Sequence, residues 1–295
     1  MGSKKPGMRR PNLFIVGAPR CGTTSLWSYL GSHPEIFMAR EKELYFFSQD
    51  LRPPDHCAPS LDEYLRHFAR ARGQKKVGEA TPDYLRSELA PKAIKAFSPA
   101  AQIIIMLRNP VDVMYSLFSE ARSIREPMAD FEAALVADAK RTGRQLVGYR
   151  QFTDYPEQVQ RFFDVFGPEN VHIVIYDDLK DNTAEVYRDT LRFLGVDPSF
   201  VPEFRVLSAS VRARSKRLQK LLAYPPRALR LTGRVVVPRA FRPRLRQALE
   251  SSIEARQPRP PMDPELRMRL QREFAPKIDQ LSKLLGRDLS GWSKG

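Results

Sequence analysis

Phe14-Ile-Val-Gly-Ala-Pro-Arg-Cys-Gly-Thr-Thr-Ser-Leu26 runs from an apolar stretch into a glycine-containing polar turn and then opens a helical pattern. Read as strand, loop and helix, it builds an anion site. Gly17 and Gly22 let the backbone turn tightly, the N–H groups of Cys21, Gly22, Thr23, Thr24 and Ser25 converge on one oxyanion, and the helix dipole adds partial positive charge. The competing reading is an incidental strand-to-helix turn that happens to hold Gly and Thr.

The spacing matches the nucleotide loop G-x-x-x-x-G-K-[ST], but Thr23 stands in the lysine position and Arg20 is the one cation in the loop. Phosphate is the default ligand of such a loop. The missing lysine argues against an ordinary magnesium-dependent NTPase.

Outward from this loop, apolar runs bounded by turn residues predict buried parallel strands at Leu13–Val16, near Lys76–Gly78, at Gln102–Leu107 and at His172–Tyr176. Helical patterns fall between them at Thr24–Leu30, Leu61–Arg70, Val111–Arg122, Tyr155–Phe166 and Ala184–Leu194, the last with Gly195 as a C-cap. The alternation implies an α/β fold, with a P-loop-like parallel sheet flanked by helices on both faces and ligands at the carboxyl ends of the strands. Gln257-Pro-Arg-Pro-Pro-Met-Asp-Pro264 reads as an extended connection to a C-terminal helical part, Pro264 to Leu285, with Trp292 anchoring its end.

Length and composition agree with one large domain. The 295 residues, 42% hydrophobic and without an apolar run of membrane-spanning length, predict a soluble protein. Residues 1–11 read as a disordered tail without a secretory h-region, and residues 12–293 as a single domain. Two cysteines, Cys21 and Cys57, make no disulfide framework, so a cytoplasmic, reducing location is expected.

The net charge of +15 is concentrated: from Arg205 to Leu249 there are thirteen Lys/Arg and no Asp or Glu. Such a block suits nucleic acid, an acidic glycan, an anionic membrane surface or nucleotide phosphates, or it is simply a solvated basic face. Few aromatics lie among these arginines, which makes stacking on single strands poor and leaves nucleic acid an unexpected partner.

A second anion constellation follows the Gln102–Leu107 run. In Arg108-Asn-Pro-Val-Asp-Val-Met-Tyr-Ser116 a strand ends at an arginine and a helix carries Ser116 two turns in. A planar guanidinium donates two parallel hydrogen bonds to a phosphate monoester, and the hydroxyl adds a third donor. Arg108 and Ser116 are therefore expected to meet over one small anion, unless Ser116 simply faces solvent.

Pro19-Arg-Cys-Gly-Thr-Thr24 after a strand resembles the 5′-phosphosulfate loop of sulfotransferases that use 3′-phosphoadenosine 5′-phosphosulfate (PAPS), with Arg20 where many members carry lysine. The Arg-Asn-x-x-Asp-x-x-x-Ser run from Arg108 to Ser116 resembles the 3′-phosphate segment of the same enzymes. The two motifs reinforce each other, because this donor needs two anion sites on adjacent strands. Further likeness lies at Ile173–Leu179, Phe193–Val196 and Leu284–Trp292, so the resemblance covers most of Leu13 to Trp292.

Arg40-Glu-Lys-Glu-Leu-Tyr-Phe-Phe47 resembles the Lys-Glu-x-x-Phe-Phe segment of heparan-sulfate-type and related bacterial sulfotransferases, in which the glutamate is the base; this implies Glu43. The histidine of the cytosolic aryl type has no counterpart, since neither His67 nor His172 stands shortly before Arg108. Leu44, Tyr45, Phe46 and Phe47 form an apolar wall expected to desolvate the Glu43 carboxylate in part, with Lys42 opposing that effect if it points inward. The bland reading is an exposed charged turn. One departure stands at Gly78-Glu-Ala-Thr-Pro-Asp-Tyr84, where the glycosaminoglycan enzymes carry a lysine and this chain has Ala80; Arg20 and Lys42 are left to balance the leaving group, and Glu79 and Thr81 to shape the acceptor pocket.

The resemblance implies a metal-free, PAPS-dependent sulfotransferase transferring a sulfuryl group in line to a hydroxyl or amine of a carbohydrate, lipid or other small-molecule acceptor. Arg20 and the amides of Cys21 to Ser25 would hold the 5′-phosphosulfate, and Arg108 and Ser116 the 3′-phosphate. Arg214 and Ser215, within the basic region 201–260, would close over the nucleotide. Cys21 is read as a small residue lending a backbone N–H rather than as a redox handle. The alternatives are a P-loop kinase or NTPase, and a basic binder of nucleic acid or an anionic membrane surface.

Overall fold

A computed structural model describes residues 9–51, 59–124, 130–139, 148–205, 212–213, 254–255 and 260–294. Five strands, β1 (Leu13–Gly17), β2 (Ile36–Met38), β3 (Lys76–Ala80), β4 (Gln102–Leu107) and β5 (Val171–Ile175), form one parallel sheet in the order β2-β3-β1-β4-β5. Leu13–Val16 and Ile103–Leu107 are wholly buried, as the uninterrupted apolar runs of central parallel strands require. The edge strand β2 was not expected from sequence. It has three residues, too few for an alternating pattern, and is held by pairing with Lys76–Gly78.

The helices are α1 (Thr23–Gly31), α2 (Leu61–Arg66), α3 (Ala90–Phe97), α4 (Pro110–Ile124), α5 (Phe131–Ala139), α6 (Tyr155–Phe166), α7 (Tyr176–Asp181), α8 (Thr183–Leu194) and α9 (Pro264–Leu285). The predicted helix from Leu61 ends four residues early because His67, Phe68 and Ala69 bond back three residues, closing tighter turns instead of continuing the α-pattern. α1 packs on β1 and β3 and meets α8 through the Tyr29 and Tyr187 rings, while α6 packs against α3 and α9, and α9 against α4.

Local chemistry fixes where these helices begin and end. Pro110 occupies the first helical position of α4, and Asn109 Oδ1 accepts from the Val111 amide at 3.0 Å. Asp263 caps α9 through the Leu266 amide, Pro264 opens it and Gly286 at φ 62° closes it. Leu266, Leu270, Phe274, Ile278 and Leu281 recur at helical spacing and are buried. Beyond α9, Trp292 is buried, donates from Nε1 to Asp177 at 3.0 Å and offers its carbonyl to Asn109 Nδ2. The chain's end is thereby tied to the turn that follows β4.

No helix of the described residues is long and apolar enough to cross a membrane. Within the basic region, Arg212–Ala213 (β6) pairs antiparallel with Glu254–Ala255 (β7). Arg214 and Ser215 lie outside the described residues.

Candidate active site

The site is built at the carboxyl ends of β1, β3 and β4. Register between β1 and β4 slips between Ile15 and Gly17, and this bulge swings the chain out of the sheet into the loop. Glycine is required at both ends of the turn. A Cβ on Gly17 would lie 2.3 Å from Leu85 Cβ, and Gly22, the N-cap of α1, sits at φ 87°. Among the described residues, the amides of Cys21, Gly22, Thr23 and Thr24 have no hydrogen-bond partner, whereas Ser25 N returns to the Gly22 carbonyl at 3.0 Å. Four of the five amides expected to face an anion are thus available, and that of Ser25 is engaged within the helix.

Arg20 stands in the left-handed region at φ 64°, a conformation that costs a non-glycine residue on the order of 1–3 kcal/mol and clusters at functional sites. Its Nε donates to Ser116 Oγ at 2.9 Å, and Nη1 lies 3.3 Å from Glu120. Ser116, expected to share an anion with Arg108, thus also pairs with Arg20. Arg108 stacks over the Tyr176 ring at 4.6 Å and lies 3.7 Å from Asp112, while its buried Nε has no partner among the described residues.

Lys42 brings to the loop a lysine that the loop sequence lacks. Its Nζ donates to Thr24 Oγ1 at 2.7 Å. Burial holds its pKa below the usual lysine range; Glu43 opposes that shift and the like charge of Arg20 adds to it. Two crowded cations beside unpartnered amides make a site complementary to a multiply charged anion.

Glu43 follows directly, bonded through its amide to the Ala80 carbonyl at 2.8 Å. Its side chain is exposed, so the expected apolar enclosure is not formed. The reason is conformational. Glu43 (φ 62°) and Tyr45 (φ 53°) both adopt the left-handed region, which turns Glu43 outward while Phe46 stacks on Tyr64 at 4.2 Å and Phe47 packs against Phe14 and Phe97. The Tyr45 hydroxyl lies 3.1 Å from Glu43 Oε2 and 3.3 Å from Asp83 Oδ2. Burial first, then these two carboxylates, raise the phenol's pKa and keep it a donor. Sequence reading assigned Tyr45 only to the apolar wall; the polar tip of a tyrosine two residues beyond the candidate base was the available signal.

Behind this segment Glu79 is wholly buried, and its carboxyl is pushed up to about 7 by burial, against the hydrogen bonds from Tyr64, Thr81 and Tyr84. Ala80, in place of a lysine, is also fully buried. Cys21 is a free, buried thiol, with Sγ 3.4 Å from the Pro19 carbonyl and 4.0 Å from Tyr155 Oη. Burial pushes it up to about 12, so it faces the core as an inert thiol while its amide belongs to the loop.

Comparison with known proteins gives this arrangement its relatives. A family model described as a sulfotransferase domain matches residues 10–221. The crystal structure of a sulfotransferase from Alicyclobacillus acidocaldarius is 30% identical, with a TM-score of 0.73 over 97% of this chain and 100% of that one. The bifunctional heparan sulfate N-deacetylase/N-sulfotransferase 1 of Mus musculus is 27% identical over 201 residues, and the membrane-associated sulfotransferase kil1 of Dictyostelium discoideum is 31% identical over 105. These matches cover 64% and 35% of this chain but only 22% and 21% of the relatives, so the chain spans about a fifth of the length of the curated proteins it resembles. With its parallel sheet and the greater part of its length matched in this way, the chain belongs to the sulfotransferase family.

Proposed function

We propose that this protein transfers a sulfuryl group from PAPS to a hydroxyl or amine acceptor, with Glu43 as the base and residues 12–293 as one catalytic domain. The observation that carries the reading is that Arg20, Lys42 and the amides of Cys21 to Thr24, unpartnered among the described residues, lie at one loop, with Glu43 adjoining Lys42 in sequence.

The residues present fit such a donor. Its 5′-phosphosulfate matches the amide cluster and the two cations, and Arg108, whose buried Nε lacks a partner among the described residues, has a donor left for the 3′-phosphate. When bound, PAPS supplies an activated sulfuryl group on a phosphate leaving group. Arg20 and Lys42 stabilise negative charge as it grows on the departing oxygen, and the loop amides do so without reorganising. Glu43, exposed toward incoming acceptor, takes the acceptor's proton on a carboxylate oxygen, while the Tyr45 hydroxyl orients Oε2. Ser116 fixes the Arg20 guanidinium, and Tyr176 supports that of Arg108.

The heparan sulfate N-deacetylase/N-sulfotransferases among its relatives favour a carbohydrate acceptor. Ala80 is the local argument against carrying their substrate over unchanged, because the glycosaminoglycan enzymes place a cation there. A magnesium-dependent kinase remains disfavoured by Thr23. The test is transfer of labelled sulfate from PAPS to a panel of sugar, lipid and aryl alcohols, with Glu43→Gln alongside. Loss of about 10²- to 10⁴-fold in kcat supports the base assignment. Wild-type rates in Glu43→Gln would remove it.

A further inference from the structure

Glu79 lies in β3 with its side chain wholly buried, and it accepts from three hydroxyls: Tyr64 at 2.6 Å, Thr81 at 2.8 Å and Tyr84 at 3.3 and 3.4 Å. No cation is paired with it among the described residues. Volume alone would be filled more favourably by an apolar side chain, since an unpaired buried carboxylate carries a desolvation penalty. What an apolar residue could not do is direct hydroxyl protons.

Each hydroxyl has a single proton. With that proton aimed at Glu79, the oxygens of Thr81 and Tyr84 present only lone pairs to their other neighbours. Those neighbours are backbone amides of the segment that carries Glu43. Leu44 N donates to Thr81 Oγ1 at 3.1 Å, and Phe46 N and Phe47 N donate to Tyr84 Oη at 3.0 and 3.4 Å. The same segment holds Glu43 and Tyr45 in the left-handed region, which persists only where the surroundings over-determine it.

We propose that Glu79 is a positioning residue for the transfer reaction: through the hydroxyls of Thr81 and Tyr84 it locks the backbone at Leu44, Phe46 and Phe47, and so fixes where the Glu43 carboxylate lies. The proposal rests on the reading of Glu43 as the base. The lock belongs to ionised Glu79, an acceptor on both oxygens; a glutamine amide, like a protonated carboxyl, donates to one hydroxyl and turns that hydroxyl's proton toward a backbone N–H, setting donor against donor.

The test compares wild type, Glu79→Gln, Thr81→Val and Thr81→Ser at about pH 8, where Glu79 is mostly ionised, by amide hydrogen exchange, by affinity for the product nucleotide 3′-phosphoadenosine 5′-phosphate, and by PAPS turnover with water as acceptor. The expected result is exchange at least about tenfold faster at Leu44, Phe46 and Phe47 in Glu79→Gln, with the amides of Ile103–Ile105 unchanged. Thr81→Val should release Leu44 alone, and Thr81→Ser should restore it. Nucleotide affinity should hold while kcat falls at least about tenfold, as expected of a misplaced base. Unchanged exchange at the three amides, or equal loosening throughout the sheet, would overturn the proposal. Should Glu79→Gln fail to fold, the Thr81 pair decides: equal Leu44 exchange in valine and serine variants overturns it. Loosened amides together with a fully active Glu43→Gln would uphold the lock on the segment and fail only the base assignment.

Discussion

Lys42 Nζ donates to Thr24 Oγ1 at 2.7 Å, bringing a cation from the connection after β2 to a loop that lacks lysine in its own sequence. A nucleotide loop of the G-x-x-x-x-G-K-[ST] type carries its lysine next to this threonine. Here the charge arrives from eighteen residues away. Its position beside Arg20 crowds two like charges, a repulsion that the proposed anionic donor would relieve.

Lys42→Met should therefore weaken binding of 3′-phosphoadenosine 5′-phosphate by about 10- to 100-fold, the range expected for losing a hydrogen bond from a charged group. Titration calorimetry reads this directly. An unchanged dissociation constant would mean that Lys42 serves Thr24 and the loop fold, not the ligand.

Cys21 is predicted to resist alkylation. Fully buried and pushed up to about 12, its thiol holds almost no thiolate at pH 8, so folded protein should react with iodoacetamide about a thousandfold more slowly than a free thiol. Peptide mapping separates Cys21 from Cys57. Rapid labelling of Cys21 in folded protein would contradict its placement behind the loop.

Glu79 also gives stability a pH dependence of known sign. Its carboxyl titrates at about 7 when folded and near about 4.3 in an unfolded chain, so the folded state binds the proton more tightly. The contribution is full below the unfolded value and is lost as pH rises through about 7. Relative to Glu79→Gln, the wild type should lose on the order of 2–3 kcal/mol of unfolding free energy between pH 4.5 and pH 8, measured by denaturant titration. A difference that stays constant across that range would contradict the burial of an unpaired carboxylate.

Much of the fold was readable from the chain because the buried strands are unbroken apolar runs and the turns between them carry Gly, Pro and Asn. β2 escaped because three residues hold no period. The loop itself was legible as a tight strand-to-helix turn, since it depends on the local sequence around Gly22. Partners across the sheet were not. Arg20 meets Ser116 over a separation of 96 residues because β1 and β4 are neighbours, a fact set by strand order and not by any local pattern. The aromatic run after Glu43 misled for a related reason: burial of Phe46 and Phe47 was foreseeable, but the left-handed turns at Glu43 and Tyr45 that leave the carboxylate outside the cluster were not.

The most direct test of the central claim is thermal stabilisation of the protein by 3′-phosphoadenosine 5′-phosphate, compared with ATP and AMP, in magnesium and in chelator. The account predicts stabilisation by the bisphosphate that does not depend on magnesium, worth about 2.7 kcal/mol at a hundredfold excess over the dissociation constant. No response to the bisphosphate, with a magnesium-dependent response to ATP, would contradict it.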